Sequence, residues 1–385
     1  MFCLLAGLSL WSAPQAADAQ LTRSWAAPVN GAWTDPTKWA PAGVPGVNDI
    51  VEIAAASTPY TVTLQGAALI AKLGIGNGAT LLVNGHPAKS NALLRVANGI
   101  ANAGTLRLES SGGVYAANVL LTGGTLVNTG LLEVNAGTGG QRLITADLNN
   151  QGQVQINAPL IFNKANGVYT NSGIWVVAAG QTLSITGGYQ VFTQNSGTLS
   201  AEGELVLRSA TFNYNGGDIA GSGVVLTATA LNIGPASGAG LLTLRGTCTL
   251  SGNVGAAQTL WVNGSTTGGS GYLRATAGFT NTGTIRLQSS GGVFAANVLL
   301  TSGTLVNTGL IEVNAGTGGQ RQLTFNLDNQ GTLAINTPTV FTKPSGVYTN
   351  NGALNIAAGQ TLSIASGSRS STRTAAPSTP RASCG

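Results

Sequence analysis

The sequence predicts an all-β chain wound into a right-handed parallel β-helix, a β-solenoid with coils of about 22 residues and an aromatic-rich N-terminal cap. Three observations predict it: a composition without helix formers, a short Asn-Gly repeat, and a long internal duplication.

Only 8% of the 385 residues are charged, against about 25% in ordinary soluble domains. Gly occurs 56 times, while Met and His occur once each. Amphipathic helices need Glu and Lys on their polar faces, and this chain lacks them. Sparse charge with abundant Gly, Asn, Thr, Val and Leu marks a turn-rich β chain. A hydrophobic content of 43% excludes a disordered one. The formal net charge of +5 does not point to nucleic acid, because Arg369, Arg373 and Arg381 cluster at the end and the other basic residues are scattered. Cys3 lies in the leader and Cys384 in the tail, which leaves Cys248 alone in the body, so these spacings offer no disulfide framework or metal cluster.

The chain opens with MFCLLAGLSLWSAPQAADAQ, an apolar run followed by small residues. Ala17-Asp18-Ala19 fits a cleavage site, so residues 1–19 are expected to be a signal peptide with Gln20 as the mature N-terminus. No later segment has 18 consecutive apolar residues. Residues 20–68 follow as a cap. Trp25, Trp33 and Trp39 concentrate there with several Pro, and their rings would shield the first coil from edge-to-edge association. The other reading of these rings is a platform for sugars.

The solenoid is expected over 69–367, with a duplicated block at 80–188 and 259–367. Residues 102–188 align without a gap on 281–367 at an offset of 179, and 60 of the 87 positions are identical. Within each block, Asn-x-Gly followed by alternating apolar residues recurs: NAGTLRL at 102, NTGLLEV at 128, NQGQVQI at 150 and NSGIWVV at 171. Alternation after a Gly/Asn mark is the strand signal, with Gly expected to supply positive φ and Asn to tolerate it. Leu106 becomes Ile285, Tyr115 becomes Phe294 and Ile161 becomes Val340, as a packed interior requires, while Glu109 becomes Gln288 on the outside. A unit this short cannot bury its own apolar face, whereas stacked coils can. The second block stops at Gly367, and 368–385, SRSSTRTAAPSTPRASCG, is expected to be a disordered tail. This pattern points to a shortened copy of a longer solenoid or to a last coil covered by a partner.

Chemistry is thin. Glu202 and Glu204, two apart on an expected strand and near Arg208, are the best carboxylate pair. Solvated surface charges are the better reading of them, and Asp49 with Glu52 is the other close pair. His86, in Asn84-Gly85-His86-Pro87, reads as a turn residue. The loop AGTGG at 136–140 and 315–319 lacks a phosphate-binding spacing. It reads as part of a coil with Leu132 and Val134 inside, Glu133 outside, and Arg142 as a partner for Glu133. Asp218 alone does not make a calcium repeat, and Thr61-Val62-Thr63 is too isolated for an ice-binding face. No catalytic, cofactor or metal residue is therefore assigned, and the chain is expected not to be an enzyme.

The segment with Trp25, Asn30-Gly31, Trp33, Trp39, Pro45, Asp49 and Val51-Glu52-Ile53, followed by the Asn-x-Gly coils, resembles the passenger region of bacterial autotransporter-type and filamentous-haemagglutinin-like surface proteins. The resemblance implies export and display at the outer membrane or release from a Gram-negative cell, with a structural or adhesive role. The implied partners are glycans, host or neighbouring-cell surfaces, other copies of the chain, and a separate outer-membrane transporter. A polysaccharide lyase or glycosidase on the same fold, and a passenger fragment without independent function, are the alternatives.

Overall fold

The computed structural model describes residues 20–55 and 58–365, together with the backbone of 371–373. The expected signal peptide at 1–19 and most of the expected tail lie outside these residues. Strand makes up 60% of the structure, and the strands wind into a parallel β-solenoid of about 14 turns, roughly 22 residues apart.

Each coil folds because short apolar alternations are separated by residues that bend the chain. Thr105–Ser110 alternates half-buried and buried positions, with Leu106 and Leu108 fully inside. Every coil has three faces. In one coil these are Ile100–Asn102, Thr105–Ser110 and the start of Ala117–Asn128. The next coil stacks on them in parallel register, with Asn128 on Asn102, Leu132 on Leu106 and Ile144 on Val119. Ala117–Asn128 passes from the third face to the first face of the next coil at a register break between Leu120 and Thr125. Inside, like stacks on like. Leu106, Leu132, Val154, Trp175 and Leu199 form one fully buried file. Phe162, Trp175, Phe192 and Phe212 form an aromatic run with centroids 5.2–5.9 Å apart.

The Asn-x-Gly mark works differently from the turn chemistry expected of it. Asn102, Asn128, Asn150 and Asn171 are buried inside the rod, one above another. Asn102 Nδ2 donates to Asn128 Oδ1 at 2.7 Å, Asn128 to Asn150 at 2.7 Å, Asn150 to Asn171 at 2.7 Å, and Asn171 to Gln194 at 2.8 Å. A second ladder runs Asn281, Asn307, Asn329, Asn350. Each amide also bonds a backbone carbonyl, as Asn128 does with Gln153 O at 2.9 Å. Buried amides are thus paired along the axis, which a dry interior demands.

The Gly of the mark is equally a packing residue. Gly130 does not have positive φ, but a Cβ there would collide with the carbonyl oxygens of Gly104 and Ala103 in the coil below. Successive backbones touch at this corner, so no side chain fits. Two of the substitutions expected inside lie outside: Tyr115 and Phe294 are half-buried on a loop, and Ile161 and Val340 point outward from their strands.

The three N-terminal tryptophans are core. Trp25, Trp33 and Trp39 are 1–2% exposed and pack edge to face, with centroids 4.9 Å and 5.0 Å apart. Trp25 Nε1 donates to Val29 O and Trp39 Nε1 to Trp33 O. No ring face is left to receive a sugar. Thr22–Trp25 already pairs in parallel with Ile50–Ile53 and antiparallel with Trp39–Ala40, so the hairpin closes the rod end while joining its ladder.

The two blocks do not lie in line. The file through Gln194 continues through Tyr214 and Ile233, and its strands lead on to Ala275 and Leu300. Leu300 is the copy of Leu121, a third-face residue. Likewise the third-face file Leu183, Leu205, Val224, Leu242, Leu260 arrives at Ile285, the copy of the second-face Leu106. The offset of 179 residues is not a whole number of coils, so the second block is turned by one face about the axis.

Candidate ligand groove and loop crests

Where loops are long, they stack into crests. Residues 86–91, 111–116 and 135–141 leave the corner between the second and third faces in three successive coils. Ser111 N donates to Gly85 O at 2.9 Å and Thr138 N to Ser110 O at 2.7 Å, which ties each loop to the coil below. A Cβ on Gly140 would strike Tyr115 O, and its φ of +76° also favours glycine. The second crest repeats this with loops at 263–270, 290–295 and 317–321, at the corner one face further round. At the crests, Val114 and Val293 are each 84% exposed.

The AGTGG loops are held from within. Arg142 is 2% exposed and donates to the carbonyls of Asn135, Ala136, Gly139 and Gly140, at 2.7 Å for Gly139. Arg321 donates in the same way to Asn314, Ala315, Gly318 and Gly319, and to Ser289 Oγ at 2.8 Å. Burial pulls both guanidinium groups below their ordinary value. The planar fork of five donors suits a ring of carbonyls. The expected Arg142–Glu133 pair is therefore absent. Glu133 pairs instead with Arg107 one coil earlier, at 2.5 Å, and Glu312 with Arg286.

The third face carries a groove of about 400 Å³ between the two corners. Its origin is coil length. The outward file Val206, Val225, Thr243, Trp261 advances by 19, 18 and 18 residues, then by 25 to Arg286. Short coils make a waist, and the long coil with its 263–270 loop makes a wall, with Gly268 against the Arg245 stem. Val225 and Thr243 form a floor only 8% and 4% exposed although they point outward.

Glu202 and Glu204 both line this groove, with Gln181 and Thr182 at one end and Arg245 and Trp261 at the other. Glu202 lies in the turn before the strand Glu204–Arg208, not on the strand itself. Glu204 Oε1 meets Arg245 Nη1 at 3.4 Å, with 46% of the Glu204 side chain still exposed. The Trp261 indole is half-buried and donates to Gln288 O at 3.0 Å, which fixes its plane. Arg208 shares a file with Thr227 and Arg245 but does not line the groove. Arg245 and Trp261 arrive two and three coils after Glu204, so no local motif beside the two Glu shows them, and the coil period is the signal that locates them.

The remaining candidates are structural. His86 Nδ1 accepts from Ala88 N at 3.1 Å within its turn, a part taken in the copy by Ser265 Oγ with Gly268 N. Asp49 is buried beside Arg23 at 2.6 Å. Desolvation raises its carboxyl, but bonds from Gly46 N and Arg23 outweigh this and hold it below its ordinary value. Asp218 Oδ1 accepts from Ala239 N. Thr61 begins a file through Thr80 and Thr105 that ends at Leu131. Among the described residues, no three His, Cys, Asp or Glu side chains come together to hold a metal ion, and no helix is long and apolar enough to cross a membrane. Comparison of the chain with family models, with curated proteins and with solved structures gives no match.

Proposed function

We propose that this protein is an exported, non-enzymatic β-solenoid that serves as a structural and adhesive element at the surface of a Gram-negative cell. The observation that carries the reading is a pair of crests, alike in two of their three loops and each bearing a Val that is 84% exposed, set on different corners of one rod. Each Val stands on a loop stacked on its neighbour, with Ser111 N donating to Gly85 O and Ser290 N to Gly264 O, so an apolar tip is held out to solvent for contact. Two such tips facing different ways make the rod bivalent, so weak single contacts add through effective concentration. The leader at 1–19 and the resemblance of the cap to surface-protein passengers support export.

The test is agglutination of cells by the purified protein. Single changes Val114→Asp or Val293→Asp should each weaken agglutination, and the double change should abolish it. Agglutination that survives the double change would sink the reading. A polysaccharide-active enzyme is the second reading, favoured by the two carboxylates lining one groove.

A further inference from the structure

We infer that the third-face groove is a binding site for a neutral glycan chain, which lies along the rod axis with one sugar ring against Trp261. The inference rests on the adhesive reading only for where the glycan is displayed. Its chemistry stands on the groove alone.

A pyranose ring offers an apolar C–H face and a rim of hydroxyls. The groove offers the matching pair. Trp261 supplies a half-buried aromatic body at one end, its ring plane fixed by the bond to Gln288 O. Val225 and Thr243 continue a dry floor beside it. Around the floor stand acceptors and donors of several kinds: the Glu202 and Glu204 carboxylates, the Gln181 amide and the Arg245 guanidinium. A volume of about 400 Å³ lies within the range of small-ligand sites. The groove runs from the coil of Thr182 to the coil of Trp261, and five coils at about 4.8 Å spacing extend over roughly 19 Å. That is the shape of a chain site rather than of a single-sugar pocket.

Charge selects the glycan. Arg245 is engaged by Glu204, while Glu202 is exposed and pairs with no cation among the described residues. The local balance is therefore negative, which repels uronates and sulfated sugars and leaves carboxylate oxygens to accept from vicinal hydroxyls. The two carboxylates here act as hydroxyl acceptors, with Glu204 held to its Arg.

Intrinsic fluorescence makes the test direct. Of the tryptophans among the described residues, Trp25, Trp33, Trp39 and Trp175 are buried to within 2% of completion, and Trp261 alone is solvent-facing. Titration of the full chain with neutral gluco- and manno-oligosaccharides should give a saturable emission change. Trp261→Ala should remove it, and Glu202→Gln, an exposed and isosteric change, should weaken binding about tenfold. Oligogalacturonate should not bind. The Val114→Asp, Val293→Asp double variant should titrate normally, which separates failure of the groove from failure of the adhesive reading. Absence of saturation with every neutral oligosaccharide would overturn the inference, as would tighter binding of oligogalacturonate. Release of reducing ends that stops in Glu202→Gln would also overturn it, because the groove would then be an active site.

Discussion

Asn128 Nδ2 lies 2.7 Å from Asn150 Oδ1, with both side chains fully buried in the rod. The same Asn128 accepts from Asn102 through Oδ1, so one residue ties three coils together. Replacing Asn128 by Ala removes its bonds to both neighbours and to Gln153 O and leaves the partners unmatched in a dry interior. Unpaired buried groups cost about 1–3 kcal/mol each, so Asn128→Ala should destabilise by about 2–4 kcal/mol. Denaturant unfolding checks it; a loss below ~1 kcal/mol would mean that the ladder contributes little beyond packing.

Gly130 gives a sharper contrast. A Cβ there meets backbone carbonyls of the coil below, while a Cβ on Gly113, at φ +52°, meets nothing within 4 Å. Gly113→Ala should cost only the left-handed backbone penalty of about 1–2 kcal/mol. Gly130→Ala must separate two stacked backbones and should cost more than Gly113→Ala, despite having the more ordinary φ. If thermal melting ranks the two the other way, conformational freedom governs the Asn-x-Gly mark.

These two residues also show what the sequence could and could not disclose. The repeat, the strand alternation and the coil length were legible because they are periods. The role of Asn128 and Gly130 was not, since an Asn-x-Gly at a bend reads the same whether it serves a turn or a stack between coils. Partners were misread for a related reason. Glu133 meets Arg107, 26 residues back, because spatial neighbours in a solenoid lie one coil apart. Arg142, nine residues on, turns inward instead. The groove was invisible for the same cause, being assembled by Glu204, Arg245 and Trp261 from separate coils. Its depth comes from coils of 18–19 residues meeting one of 25, a change of period rather than a motif.

Arg142 should govern the 135–141 loop without governing the rod. Arg142→Lys keeps the charge but loses the fork that reaches Asn135, Ala136, Gly139 and Gly140 together. Limited proteolysis should cut the variant between 135 and 142 while the natural chain resists there, and the 317–321 loop, held by Arg321, should remain protected in both. Equal resistance of the two proteins would show that the stacking of the loops, not the guanidinium, holds the crest closed.

Buried tyrosines set the alkaline limit of the fold. Burial, and then the charge of Asp218, push Tyr214 from its ordinary 10.0 up to about 12. Burial followed by Asp147 raises Tyr169 as well, and burial raises Tyr60. Unfolded tyrosines lose their protons near pH 10, whereas folded Tyr214 holds its proton until about pH 12. Between these values the folded chain binds more protons, so stability is full below pH 10 and falls as pH rises toward 12. Tyr214→Phe should lower neutral-pH stability by about 1 kcal/mol, because the single hydroxyl proton that Gly217 O and Ala239 O share is lost. It should also flatten the alkaline decline, since one raised group is gone. Unfolding midpoints across the alkaline range, with tyrosinate absorbance followed in parallel, test both parts. An unchanged slope in Tyr214→Phe would assign the alkaline loss to Tyr169 and Tyr60 instead.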